Sequence, residues 1–289
     1  MRSFTALVNP ISGGGKAAEK WAPLAARISA AGADVRVELT RGREHAVDSA
    51  RAAAGEGRTV VAVGGDGLVR DVAEGVAAAR GVMGIVPAGR GNDLAWSLGF
   101  PRDVTGLADL LLEGAATPCD VIEMGDTIVI GNAYCGIDSV SNAMINKSRW
   151  LPPKVVYRLA PVRAIVTWRA PRFTLTVDGE PTSVRAHMVV VGNSGAYGHG
   201  LRIVPSARID DGHLDVLVVG DGPKRAIASF MREARRGTHV ERPEVSVHTA
   251  REVVIEADRA VPVCGDGEEL AALPVSMRIR TDLLRLIRP

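Results

Sequence analysis

Val60-Val61-Ala62-Val63-Gly64-Gly65-Asp66-Gly67 and Gly84-Ile85-Val86-Pro87-Ala88-Gly89-Arg90-Gly91-Asn92-Asp93 decide how this chain is read. Each is a short β-branched run ending in a glycine cluster that carries an aspartate. That is the pattern of a buried parallel strand whose C-terminal loop approaches a ligand closely. Glycine permits φ > 0 and lets backbone N–H groups point at phosphate oxygens with no side chain between. Leu68 to Ala79 follows, with Val69, Val72, Ala73 and Val76 at helical spacing. A helix N-terminus therefore faces the same ligand and adds unsatisfied N–H groups and partial positive charge. Asp66 suits an anion site only with a cation or a sugar hydroxyl between, so a magnesium nucleotide is the natural guest.

Upstream, Phe4 to Val8 reads as a strand, Asn9-Pro10-Ile11-Ser12-Gly13-Gly14-Gly15-Lys16 as a glycine loop, and about Ala17 to Ala31 as a helix. Taken alone, the loop is as compatible with a plain βα turn as with a phosphate loop; no GKS or GKT follows, so it is not a Walker loop. Val35 to Thr40 alternates as a second strand, and His45 to Ala54 reads as a second helix. Repeated βα units predict a parallel sheet with helices on both faces and ligands outside the carboxyl ends of its strands. Leu107 to Leu112 is one more helical piece before Pro118-Cys119-Asp120-Val121. From Thr127 the texture changes to strand-like runs separated by turns, among them Phe173 to Val177, Met188 to Val191, Leu214 to Val219 and Val253 to Ile255. These predict a second, mostly antiparallel domain. The expected division is 1–124 and 125–289, with the last few residues returning to the first domain.

Of the 289 residues, 46% are hydrophobic and 24% charged, an ordinary globular composition long enough for two cores. A net charge of +2 gives no indication of a nucleic-acid partner. Cys119, Cys135 and Cys264 are odd in number and lack metal-ligand spacing, which favours a reducing cytoplasm. No signal-like N-terminus and no bilayer-length apolar run is present, so any membrane is visited from one side. Local charge is more telling. Between Asn146 and Arg172 stand Lys147, Arg149, Lys154, Arg158, Arg163, Arg169 and Arg172 without one Asp or Glu. Val155, Leu159, Val162 and Val166 recur there at helical spacing, with Trp150, Tyr157 and Trp168 interleaved. One reading is transient contact with an anionic membrane surface, with tryptophan at the interface; the other is a helix whose apolar stripe is core and whose cations are merely solvated. Pro161 threatens the continuity of that helix. Lys224 to Arg236 reads as a basic helix with Ala226, Ile227, Phe230 and Met231 as its apolar face, a second candidate for lipid contact.

Gly64-Gly65-Asp66-Gly67 with Pro87 to Asp93, in that order and spacing, resembles the paired signature of the diacylglycerol kinase catalytic domain family, which includes bacterial soluble lipid kinases and, more distantly, sphingosine and ceramide kinases. GGDG alone is shared with NAD kinases and phosphofructokinases; the pair is far more specific. The resemblance spans almost the whole chain. It implies an α/β N-terminal domain with a parallel sheet followed by a mostly antiparallel β-sandwich, ATP and Mg²⁺ as cofactors, and a lipid acceptor. Nucleotide contacts are implied at Asn9, Pro10, Ser12, Gly13, Thr40, Gly64, Gly65, Asp66, Gly67, Leu68, Gly89, Arg90, Asn92, Asp93 and Asp120. Asp66, with Asp93 and Asp120, would position Mg²⁺ directly or through water.

Arg208-Ile209-Asp210-Asp211-Gly212-His213 is similar to a family block that holds a structural magnesium. The Asp211 carboxylate and the carbonyls of Arg208 and His213 would be its ligands; without the family, Asp-Asp-Gly is a β-turn. Asp266-Gly267-Glu268 followed by Pro274 and a terminal strand matches the family's DGE turn, which makes Glu268 the implied general base. Asp178-Gly179-Glu180 lacks that downstream context and reads as turn chemistry. Three departures stand out: Leu68 in place of the usual threonine, Arg70-Asp71 in place of Asn-Glu, and Arg90 in place of threonine.

The expected activity is transfer of the γ-phosphate of ATP to the primary hydroxyl of a lipid, foremost diacylglycerol. A sphingoid-base or ceramide kinase, an NAD kinase-like enzyme, and a catalytically weak lipid-binding protein of the same fold stand as alternatives. The expected location is cytoplasmic with peripheral membrane contact, and the oligomeric state is left open, a homodimer included.

Overall fold

The structure is a computed structural model that describes residues 2–147, 153–198 and 200–289, without the side chains of 146, 147, 153–158 and 161. Lys147, Lys154 and Arg158 as side chains, and Arg149 and Trp150 altogether, thus lie outside the described residues, as do Val155 and Tyr157 as side chains. The chain divides into two compact units, one made of residues 1–121, 198–200 and 280–289, the other of 122–197 and 201–279.

In the first unit β1 (Ser3–Val8), α1 (Ala17–Ala30), β2 (Asp34–Leu39), α2 (Arg43–Gly55), β3 (Thr59–Gly64), α3 (Asp66–Ala78), β4 (Val82–Pro87), α4 (Asp93–Ser97), α5 (Val104–Glu113) and the start of β5 (Ala116–Met124) follow in order. The sheet runs β4-β3-β1-β2, all parallel. β1, β3 and β4 are buried almost end to end, which is why they read as continuous apolar runs, whereas edge strand β2 leaves Val37 and Leu39 exposed. Close helix packing requires Gly75 of α3, where an added Cβ would strike the Val47 carbonyl and Ala50 of α2. Parallel pairing puts the C-terminal ends of the four strands along one sheet edge, and every glycine loop picked out in the sequence leaves from that edge.

The second unit contains β6 (Thr127–Val129), β7 (Asn132–Gly136), α6 (Ile137–Lys147), α7 (Pro153–Thr167), β8 (Arg172–Val177), β9 (Glu180–Gly192), β10 (Leu214–Gly220), α8 (Ile227–Ala234), β11 (Val245–Ala250), β12 (Glu252–Ala257), β13 (Pro262–Gly265), β14 (Glu268–Ala272) and the start of β15 (Val275–Ile287). Its strands pair antiparallel. The long strand β9 joins two layers, its first half pairing with β8 and its second with β7 and β10. Residues alternate along it: Val189 and Val191 enter the core shared with Phe173, Leu175, Val216 and Val253, while Met188 and Val190 pack on the opposite face with Leu217, Ile203 and Phe230.

Two expectations for α7 need correction. The helix runs through position 161; proline removes one N–H donor, and the bonds on either side carry the helix past it. The stripe is not core either. Leu159, Val162 and Val166 are 61%, 56% and 71% exposed, and it is Ala160 and Ala164 that are buried. Trp168, expected at a membrane interface, is buried in the sandwich core with the Arg259 guanidinium over its ring. A period of 3.6 identifies a face but not what covers it.

Candidate active site

The first unit builds a crevice from loops distant in sequence. Asn9 N–H donates to Val63 O, Thr40 N–H to Val8 O and Ala88 N–H to Gly64 O, so the loops leaving β1, β2, β3 and β4 are stitched at their roots. Their closeness depends on glycine at two contacts. An added Cβ on Gly13, which has φ +61°, would lie 2.6 Å from Ala88 O. One on Gly89 would overlap the Cα of Gly65. The β3 and β4 loops therefore meet backbone to backbone, which is what the paired glycine clusters predict.

Several side chains named from the sequence are used in holding these loops. Asn92, buried and at φ +57°, accepts from Gly89 N–H at 2.8 Å and donates to Gly89 O at 3.0 Å. Asn9 Oδ1 accepts from Ile11 N–H, 3.1 Å, and Thr40 Oγ1 is directed at Val8 O, 3.4 Å. Leu68 is buried over Gly64 beside Ser12 Oγ, so what it offers a ligand is its backbone N–H. Arg70 is buried with Nε and Nη2 on Asp71 Oδ1, and Arg43 reaches across from α2 to Asp71 and Glu74. That pair occupies the place of the family's Asn-Glu.

Charge collects in the crevice. Asp66 opens α3 and accepts from Asn92 N–H, 2.8 Å. A Cβ placed on Gly91 would sit 3.0 Å from Asp66 Oδ2 and 3.6 Å from Asp93 Oδ2, so the two carboxylates flank one point. Burial, and then the charge of Asp93, push the Asp66 carboxyl above the ordinary carboxylate range, against hydrogen bonds from Asn92, Leu94 and its own N–H. A divalent cation would relieve both costs, and hard oxygen donors suit Mg²⁺. The three carboxylates do not form one direct ligand cluster. Asp120 is buried on β5, and among the described residues no cluster of three His, Cys, Asp or Glu is placed to hold a metal. Beside the glycines opens a cavity of about 580 Å³ lined by Lys16, Lys20, Arg90 and Trp96. Lys20 donates to Pro87 O, and burial holds its pKa below the usual lysine range. Arg90 is exposed at this rim, and Pro10 and Gly67 lie at its loop and helix start with nothing crowding a Cβ on Gly67.

The second unit holds two further features. One is the turn Asp266-Gly267, with φ +48° and +86°, that delivers Glu268 at the start of β14. The Asp178-Gly179 turn has the same backbone, φ +47° and +92°, so local geometry does not separate the two DGE triplets. Their burial does: Glu180 is exposed and Glu268 half-buried. The other feature is an apolar cavity of about 340 Å³ walled by Met188, Ile203, Val219, Ile227, Phe230 and Met231, within the range of small-molecule sites. The apolar face predicted for Lys224 to Arg236 is thus a cavity wall. Asp138 lies in that wall, its Oδ2 accepting from Tyr197 O–H at 2.6 Å; burial raises its pKa to about 6. Neither Asp138 nor α6 carries a motif, and the sequence offered no signal for them. At the Asp-Asp-Gly turn, Asp211 Oδ1 accepts from His213 N–H, 3.0 Å, and Arg208 is exposed. This is an Asx turn.

Residues 3–124 match the family model described as the diacylglycerol kinase catalytic domain, and residues 131–288 match the YegS C-terminal NAD kinase beta sandwich-like domain. A diacylglycerol kinase of Mycobacterium tuberculosis is 32% identical over 294 aligned residues, covering 99% of this chain and 94% of the relative. One from Staphylococcus aureus is 26% identical over 220 residues, covering 75% and 70%. Two crystal structures from Bacillus anthracis superpose with TM-scores of 0.80 and 0.74 at 24% and 20% identity, each covering 100% of this chain and 97% of the other. At such identities the structural likeness speaks for the fold.

Proposed function

The chain belongs to the diacylglycerol kinase family and is a lipid kinase, and from this we propose that it transfers the γ-phosphate of ATP to the primary hydroxyl of diacylglycerol, giving phosphatidic acid. Beside the family, one observation supports diacylglycerol as acceptor: the apolar cavity of the second unit, whose volume and lining suit an acyl chain. The glycine loops and the N-terminus of α3 cradle the phosphates, and Lys16 and Arg90 add positive charge at the rim. The carboxylates of Asp66 and Asp93 would hold Mg²⁺, which when bound supplies neutralisation of phosphate charge. Glu268 accepts the proton of the attacking hydroxyl. The turn at Arg208, Asp211 and His213 leaves one Asp211 oxygen and the backbone carbonyls for a structural magnesium. Transfer of labelled γ-phosphate from ATP to a panel of diacylglycerol, monoacylglycerol, ceramide, sphingosine, NAD and water tests the reading. Label on diacylglycerol is expected; label on NAD, or none on any lipid, overturns it.

The acceptor lives in a bilayer, and no described helix is long and apolar enough to cross one. The contact we propose with it runs through the exposed Leu159, Val162 and Val166 of α7 with Arg163, Arg169 and Arg172 beside them. Leu159→Glu combined with Val166→Glu is expected to lower binding to phosphatidylglycerol vesicles by about 10-fold or more, since burying one such side chain contributes about 1.5–3 kcal/mol. Vesicle co-sedimentation measures it, and unchanged binding would move the contact elsewhere.

A further inference from the structure

Among the described residues, the carboxylate of Glu268 takes no hydrogen bond and no ion pair. Its place is set by the backbone of the turn that carries it. That turn is gripped from two sides. Asp266 turns back to accept from the N–H groups of Ile130 (3.0 Å), Gly131 (3.0 Å) and Asn132 (3.2 Å), and its own N–H donates to Asn132 O. From the other side Asn142 Nδ2 donates to Gly267 O at 2.8 Å.

Asn142 belongs to α6, and α6 also forms the cavity wall through Ile137, Asp138 and Ser141. Asp138 and Asn142 are four residues apart, hence on one face of the helix. The two ends of that face are joined by side chains. Tyr197 O–H donates to Asp138, its ring stacks on Tyr134 at 5.0 Å and 9°, and Tyr134 Oη lies 3.4 Å from Asn142 Nδ2. Whatever fills the cavity bears on α6 at Ile137, Asp138 and Ser141, and the next residue holds the carbonyl beside Glu268.

We propose that α6 couples acyl-chain occupancy of the cavity to the placement of Glu268, with Asn142 as the positioning residue that makes the link. This rests on the reading of Glu268 as general base and of the cavity as the acyl site. Physically, binding energy from the unreactive tail is used to orient the base, so a truncated acceptor loses kcat as well as affinity. Chain-length preference is then expressed in kcat.

The test compares kcat on dioleoylglycerol and on water-soluble diacetylglycerol for wild type, Asn142→Ala, Asn142→Asp and Glu268→Gln, with thermal unfolding of each variant. Asn142→Asp keeps the volume and replaces the donor by an acceptor, and it serves if Asn142→Ala does not fold. Wild type is expected to turn over dioleoylglycerol faster at saturation. Both Asn142 variants lose about 10- to 100-fold in kcat on dioleoylglycerol, with KM for ATP unchanged, and lose measurably less on diacetylglycerol, so the ratio of the two kcat values shrinks. Equal losses on the two acceptors, an unchanged kcat in the variants, or a wild-type kcat indifferent to chain length would each overturn the coupling. Turnover surviving in Glu268→Gln would instead overturn the base assignment, a result read in the wild-type background and independent of Asn142.

Discussion

Glu268→Gln lowers turnover by about 10²- to 10⁴-fold, the contribution of a positioned general base, and leaves nucleotide binding intact. The substitution keeps the shape of the side chain and removes its capacity to take a proton. It disturbs nothing that holds the turn, because the turn is secured by Asp266 and by Asn142 rather than by the Glu268 carboxylate. Stability is therefore expected to stay within about 0.5 kcal/mol, the range of substitutions that break no such feature. The nucleotide cradle belongs to the first unit, so the ATP-induced rise in melting temperature is retained. Single-turnover transfer of γ-phosphate to diacylglycerol separates the outcomes. A slow chemical step with normal ATP affinity supports the base, whereas full turnover assigns proton acceptance to another group. The control is Glu180→Gln, in the exposed hairpin turn of the same DGE sequence, which is expected to retain activity.

What was legible in the sequence follows from what local pattern encodes. Parallel strands buried on both faces read as Val and Ile runs, and backbone contact between loops reads as glycine, so the crevice of Gly65 and Gly89 is legible in the sequence alone. Family resemblance added Glu268 and distinguished it from Glu180, which the turn geometry alone does not. Three kinds of information were missing. Amphipathic spacing in α7 did not say that its stripe faces outward, because exposure depends on what the rest of the unit supplies. The composition of the basic interval grouped Trp168 with a membrane surface, although the packing of Phe173, Val253 and Ile255 takes that ring into the core. Helix α6 carries no sequence signal, since Asp138, Ser139, Ser141 and Asn142 make an unremarkable polar run. Their roles exist only where Tyr197, Tyr134 and Gly267 arrive from distant parts of the chain. Asn92 shows a fourth limit: a motif identifies a residue near the ligand without telling whether its side chain touches the ligand or builds the loop.

Asp66→Asn is expected to move activity and stability in opposite directions. Turnover falls by about 10²- to 10³-fold, because a bound metal contributes several kcal/mol of charge stabilisation and each 1.36 kcal/mol is a factor of ten. The protein without ligand becomes more stable. Burial and the neighbouring Asp93 raise the Asp66 pKa in the folded state, so the ionised carboxylate opposes folding. The stability associated with its neutral form is complete below the unfolded pKa and is lost as pH rises through the folded one. An amide carries no charge to desolvate, and its Oδ1 still accepts from Asn92 N–H, the bond that ties the two loops. Urea unfolding of both proteins between pH 4 and 8, a window that runs from about the ordinary aspartate value to about four units above it, reads the effect. Wild type weakens as Asp66 ionises, while the variant's curve is flatter and lies above it at neutral pH. Magnesium with ATP then reverses the order, stabilising wild type and leaving the variant nearly unmoved. A variant that is less stable at neutral pH without ligand would mean that Asp66 holds the loops together. One that still responds fully to magnesium would mean that the cation sits on other oxygens. Strain of this kind, relieved only by the bound cation, is what a crevice with two converging carboxylates stores, and it separates a site built for phosphoryl transfer from one whose aspartates merely cap a helix.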